Sequence, residues 1–169
     1  MKIREADATD AQAVLNLFYN LDRETDFMLL EPDERDTTSE EQQNIIAVFS
    51  KSSHRFMYVA GQDDIIGFCV LIGNQNARNS HVASLVVGVS KIYWGQGIGS
   101  ALVKQALMQA SSTGIRRVEL TVRKDNISAI ALYEKFGFVK EGVRRHSLLI
   151  AGRLISEIYM AKLLDESLS

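Results

Sequence analysis

The sequence predicts a mixed α/β (α+β) fold, a sheet with helices packed on it, carried by one domain spanning residues 1–169. Three observations predict it. Short, β-branched, apolar runs at Arg55–Ala60, Ile65–Ile72 and Val82–Val89 are separated by polar segments such as Gly61 to Asp64, as strands are. Apolar residues at helical spacing occur on both sides of those runs. Val118, Leu120 and Val122 alternate cleanly within Arg117–Val122, the period of a strand.

Taken in order, Lys2–Ala6 reads as a short first strand. Asp10 is expected to cap a helix from Ala11 to about Leu21, with Val14, Leu17, Phe18 and Leu21 on its apolar face. An acidic segment, 22–41, follows and contains the single proline, Pro32. Ser39 with Gln42 resembles a capping box and would open a second helix that ends near Phe49. The three apolar runs come next; the third is apolar almost throughout, as a strand covered on both faces would be. A glycine-rich turn leads into a helix from Ile98 to about Ser111. Its residues Ile98, Leu102, Val103, Ala106, Leu107 and Ala110 form a broad apolar face. After the alternating strand, Ile127–Phe136 reads as a short helix. Phe138–Ile150 and Arg153–Leu163 read as two strands joined at Ala151-Gly152.

Bulk properties exclude several classes of function. The net charge is -2, which gives no global positive field for nucleic acid or an anionic membrane. No apolar run is long enough to span a bilayer. The opening residues MKIREADATDA lack the apolar centre of a signal peptide, so the expected location is cytoplasmic. Cys69 is the only cysteine and lies within an apolar run, where it reads as a buried small hydrophobe. The histidines at 54, 81 and 146 are scattered and no Cys/His cluster has metal spacing, so no metal is expected.

Two stretches carry chemistry. Trp94-Gly95-Gln96-Gly97-Ile98-Gly99-Ser100 joins an apolar strand to an amphipathic helix. Alternate glycines let the main chain turn tightly and let a ligand approach it. The helix N-terminus adds unpaired N–H groups and a positive dipole end, which suit a phosphate or pyrophosphate. A Walker A loop is excluded because no lysine follows the last glycine, and the dinucleotide pattern G-x-G-x-x-G fails at Ser100. The second stretch runs from Asn126 to Phe138. Asn126 suits a helix N-cap, Tyr133 lies one turn after Ala129 on a shared face, and Gly137 suits the helix stop.

Together these stretches, about thirty residues apart, resemble the GNAT superfamily of N-acetyltransferases. The resemblance covers residues 82 to 146 well, and the element order fits it along the whole chain. It implies a mostly antiparallel mixed sheet flanked by helices, acetyl-CoA as the acyl donor, and direct attack by a primary amine in a ternary complex. It implies that the N–H groups of Gly95, Gln96, Gly97, Ile98 and Gly99 cradle the pyrophosphate, with Trp94 and Ser100 at the ends of the loop. It further implies that Val87 and Val89, on a strand that splays from its neighbour, bond the pantetheine arm. Asn126 and Ala129 would join them, Tyr133 would lie near the sulfur as the catalytic acid, and Lys135 would assist the nucleotide end. One departure is plain: the family's loop usually opens with Gln or Arg, and the matching position here is Trp94.

The general base is not legible. His81, Glu24, Asp26 and Glu31 are the candidates for it. The nine acids of segment 22–41, against Arg23 and Arg35, point to a cationic amine or a peptide N-terminus as acceptor, with Glu24, Asp26 and Glu31 as substrate-binding residues. The long final strand pair offers an edge for a homodimer. A non-catalytic acyl-CoA-binding or regulatory module on the same fold is the alternative.

Overall fold

The computed structural model describes residues 2–62 and 64–164. The strands are β1 (Ile3–Glu5), β2 (Arg55–Gly61), β3 (Ile65–Gly73), β4 (Val82–Val89), β5 (Arg117–Arg123), β6 (Val139–Ile150) and β7 (Arg153–Leu163). The helices are α1 (Ala11–Glu24), α2 (Ser39–Ser50), α3 (Ile98–Ser112) and α4 (Ile127–Lys135). Among the described residues the strands form a single sheet in the order β1-β2-β3-β4-β5-β7-β6, in which β4–β5 is the one parallel pair.

Each face of the sheet carries its own core. On one face α3 and α4 bury Leu102, Val103, Ala106 and Ile130 against Cys69, Leu71, Ala83, Val118 and Met160. On the other, α1 and α2 bury Val14, Leu17, Leu21 and Ile46 against Met57, Val59 and Phe68. The two-residue period of the strands makes this division: Met57 and Val59 face one layer while Phe56, Tyr58 and Ala60 face the other. β2 and β3 are therefore apolar almost continuously, whereas β4, the strand expected to be covered on both faces, leaves Ser84 and Val86 exposed on one of them.

The caps differ from expectation at two helices. Ahead of α1, a 3₁₀ turn at Ala8–Asp10 runs straight into the helix, so the first unpaired N–H groups lie earlier than Ala11. Asp7 caps them, accepting from Thr9 N at 2.8 Å, while the Asp10 carboxylate accepts from Asp7 N and pairs with Arg4 at 2.6 Å. Arg4 holds the Asp10 carboxyl below its usual range, and so does the Asp7 N–H. At α2 the capping box is Thr38 with Glu41, one residue before the Ser39–Gln42 pair expected.

The connection from α1 to α2 is tied down by Arg35, which clasps Asp22 through Nε and Nη2 at 2.7 and 3.1 Å and lies over the Phe18 ring. Asp22 is almost completely buried. Removing one partner of a buried pair strands the other charge, so Asp22→Ala is expected to cost about 3 kcal/mol in urea unfolding. A cost below about 1 kcal/mol would mean that Arg35 finds water instead.

Among the described residues, no helix is long and apolar enough to cross a membrane.

Candidate active site

β4 and β5 pair only at Val82–Arg117, Ala83–Val118 and Ser84–Glu119, and beyond that point they diverge. The direction of the unpaired groups follows from strand alternation. Val82 O and Ser90 N both bond toward β3, so the even-numbered residues of β4 turn their amides that way. Val87 and Val89 therefore present N–H and C=O groups to the gap, where β5 offers no partner. One of these groups is taken: Trp94 Nε1–H donates to Val89 O at 2.7 Å. The position at which the family pattern usually has Gln or Arg is thus spent on the strand itself.

The gap continues to the start of α3. Gly97 caps this helix with φ at 79° and Gly95 precedes it with φ at 76°, both in the left-handed region that glycine adopts freely. A Cβ at either position would meet nothing within 4 Å, so the glycines serve the backbone path and open space lies over them. The first intrahelical bond is Ala101 N to Gly97 O, and Gly97 has no side chain to cap the helix. The amides of Ile98, Gly99 and Ser100 are consequently free of helical partners at a positive dipole end.

On the far side of the gap stands α4. Asn126 Oδ1 accepts from Ala129 N at 3.2 Å, the cap that the sequence suggested, which leaves its amide nitrogen as a donor. Tyr133 is 7% exposed and its ring packs on Phe138 with centroids 5.6 Å apart. Burial pushes its hydroxyl well above the ordinary tyrosine range, so it holds its proton at every physiological pH.

These groups line one cavity of about 1500 Å³ that passes from the α3–α4 face through the gap to the opposite face. The structure brings Val87, Val89, Trp94, Gly95, Gly97, Ile98, Gly99, Ser100, Asn126, Ala129, Tyr133 and Lys135 to its wall. Gln96 does not line it and leans toward Ile92 O. Glu24, Asp26 and Glu31 also lie off this wall. Glu24 bonds Ser90 and Lys91, while Asp26 and Glu31 line a smaller cleft of about 160 Å³ beside the Leu148–Ile150 end of β6. His81 is off the wall too; its carbonyl accepts from Arg116 N and Arg117 N.

The far face contributes residues that sequence reasoning missed. Glu119, Thr121 and Arg123 of β5 and Glu157 and Tyr159 of β7 share one face of the sheet by strand parity, opposite Leu120, Val122, Ile158 and Met160. Glu141 gives both oxygens to Arg117, and Glu119 takes Arg117 Nε at 2.9 Å. Glu157 differs. It is 9% exposed, Ser147 Oγ–H donates to its Oε2 at 2.7 Å, and its nearest cation, Arg144, stands 3.4 Å away. A break in β6 register between Arg144 and Leu148 turns Ser147 over the Glu157 carboxylate. The available signal was a single acid inside the apolar run from Ile155 to Leu163.

Comparison with known proteins agrees with this geometry. The family model described as the Acetyltransferase (GNAT) family matches residues 15–138. The chain belongs to the GNAT acetyltransferase family. Among its relatives is the L-amino acid N-acetyltransferase AaaT of Escherichia coli (strain K12), 33% identical over 100 residues, which are 59% of this chain and 62% of that protein. The aligned part of this GNAT chain thus spans under two thirds of that relative's length. A GNAT-family acetyltransferase from Streptococcus pneumoniae superposes with a TM-score of 0.93 at 34% identity, covering 96% of this chain and 99% of that one. YncA of Salmonella typhimurium, a putative acetyltransferase solved with acetyl-CoA, shares the fold with a TM-score of 0.87 at 17% identity, covering 99% and 96%.

Proposed function

We propose that the protein transfers an acetyl group from acetyl-CoA to the α-amino group of a free amino acid. The observation that carries the reading is the through-going cavity, with phosphate-type donors at one mouth, a buried protonated tyrosine at its middle and a buried carboxylate on the far wall.

The wall residues fit acetyl-CoA. The amides of Ile98, Gly99 and Ser100 suit its pyrophosphate. The free edge of Val87 and Val89 suits an arm that carries two amide groups, much as an added strand is held. Asn126 Nδ2 gives a further donor. When bound, the cofactor supplies an acetyl group already activated as a thioester. An N–H group of the β4 edge would be the donor available to the carbonyl oxygen, where a preorganised donor contributes about 3–4 kcal/mol. Tyr133 Oη holds the proton that the departing sulfur needs.

The acceptor arrives as an ammonium and must lose a proton before it attacks. Glu157 is the group suited to receive it, through a water: it is buried, faces the cavity, and among the described residues nothing bonds its Oε1. Glu141 is unsuited because Arg117 holds its carboxyl below the usual range and occupies both oxygens.

Acceptor class follows from the same wall. Arg144 is 53% exposed and holds Glu157 by one long contact only. It places a cation beside a carboxylate, a match for the ammonium and carboxylate of an amino acid. AaaT, by its name, acts on L-amino acids. A cationic amine fits less well, because five of the nine acids of segment 22–41 are engaged at home (Asp22 by Arg35, Asp33 by Arg23, Glu24 by Ser90, Glu34 by Glu31 N, Glu41 by Thr38) and Asp26 and Glu31 face the smaller cleft rather than the cavity.

The test is thiol release from acetyl-CoA with free amino acids, dipeptides, amino acid amides and polyamines. Turnover is expected with free amino acids and should fall at least tenfold with their amides, which lack the carboxylate. Equal turnover of acids and amides, or a preference for polyamines or peptides, would refute the acceptor assignment.

The glycine turn has its own prediction. Gly97→Val puts a β-branched residue where φ is 79°, a strained conformation for it that costs about 1–2 kcal/mol or displaces the turn. The acetyl-CoA Kd is expected to rise at least tenfold by calorimetry. An unchanged Kd would remove this helix end from the binding site.

A further inference from the structure

Glu24 ends α1, where the helix dipole disfavours an acid. Its carboxylate is nevertheless fully employed, 66 residues away in sequence. Ser90 Oγ–H donates to it at 3.0 and 3.1 Å, and Lys91 N–H at 2.6 Å. Ser90 stands at the N-cap of a 3₁₀ turn, Lys91–Tyr93, and makes no cap bond of its own. Glu24 therefore caps that turn from another element. The turn is the link between the free edge of β4 and the glycine loop.

The residues after Glu24 reach both sides of the gap. The Phe27 ring lies 6.3 Å from the Trp94 ring, on the β4 side. On the β5 side, Arg123 Nη1–H donates to Asp26 O at 2.5 Å, and the same guanidinium covers the Phe27 ring at 5.0 Å. Arg123 is itself fixed by a two-point pair with Asp125. Residues 24–27 thus strap the free end of β4 to the free end of β5, where the two strands have no bonds to each other.

We infer that Glu24 is a positioning residue for acetyl transfer: it clamps the turn after β4, and through the strap sets the width of the gap that admits acetyl-CoA. This rests on the acetyl-CoA reading above. It also replaces the charge-attraction role that the acidity of segment 22–41 suggested.

Glu24→Ala and Glu24→Gln separate the two roles. Calorimetry with acetyl-CoA, and steady-state kinetics with the amino acid turned over fastest, are run on the full chain. Glu24→Ala should weaken acetyl-CoA binding about tenfold and raise the acetyl-CoA KM in step, with the acceptor KM unchanged. Glu24→Gln should stay within about threefold of wild type, because its Oε1 can still accept from Lys91 N and its amide can still meet Ser90 Oγ. Thr38→Ala deletes a helix cap outside the cavity wall and controls for lost stability; it should lower Tm without changing acetyl-CoA affinity. The inference fails if Glu24→Ala binds acetyl-CoA as wild type does. It also fails if glutamine is as damaging as alanine with the loss confined to the acceptor KM, which would mark a charge role. A wild type that does not bind acetyl-CoA would overturn the proposed function as well, whereas normal wild-type turnover with an unaffected alanine variant overturns this inference alone.

Discussion

Tyr133→Phe is expected to lower kcat about 100-fold while acetyl-CoA affinity stays within about threefold of wild type. The substitution removes one oxygen and keeps the ring against Phe138, so packing at this buried site is preserved. The hydroxyl is buried and keeps its proton, so it is present as a donor at the moment the sulfur departs. The loss should therefore appear in the chemical step. A single-turnover measurement with acetyl-CoA bound in advance isolates that step. Equal rates for the two proteins would take Tyr133 out of the mechanism and leave it as a core aromatic.

Glu157→Gln should lower kcat/KM at pH 7 about 100-fold, in line with the loss of a general base. The pH profile gives the sharper signature. A peptide N-terminus has a pKa of about 8, and the carboxylate of a free amino acid holds its ammonium form higher still, so at pH 7 nearly all of the acceptor carries the proton that Glu157 is there to remove. As the pH rises toward the amine's own pKa the free amine accumulates and the base becomes progressively dispensable. The ratio of wild-type to variant rate should then shrink toward about ten or less. A ratio that stays constant from pH 6.5 to 9.5 would show that Glu157 orients Ser147 and Arg144 but moves no proton. Parallel measurement of Glu119→Gln guards the assignment, since Glu119 shares the same face of the cavity.

The parts of the molecule legible in the sequence were those encoded within a few residues of one another. The alternate glycines, the helix that follows them, the Asn126 cap and Tyr133 one turn after Ala129 all belong to local patterns, and the structure places them around one gap. Segment 22–41 was read by its net charge, and charge alone does not say which acids are paired. Arg35 lies thirteen residues from Asp22, and Ser90 sixty-six from Glu24, so only the fold shows both carboxylates to be occupied. Glu157 was hidden for a related reason. Its role comes from sharing a sheet face with residues of β5 and from a register break in β6 that delivers Ser147, neither of which period-two alternation reports. The caps at Asp7 and Thr38 were missed by one to three residues because several adjacent Asp, Ser and Thr side chains compete for the same helix start.

The single cysteine gives the molecule a native reporter. Cys69 has no exposed surface, and burial raises its thiol far above the range in which a thiolate forms. A disulfide reagent that colours on meeting free CoA should be blind to the folded protein, so product can be counted without correction for the catalyst. In urea the same reagent should register one thiol per chain. Between those limits lies a third use. Cys69 sits opposite Val87 in the β3–β4 ladder, so its slow labelling under native conditions measures how often that part of the sheet opens. Saturating acetyl-CoA should slow the labelling, which makes ligand-linked breathing of the gap observable without adding any probe.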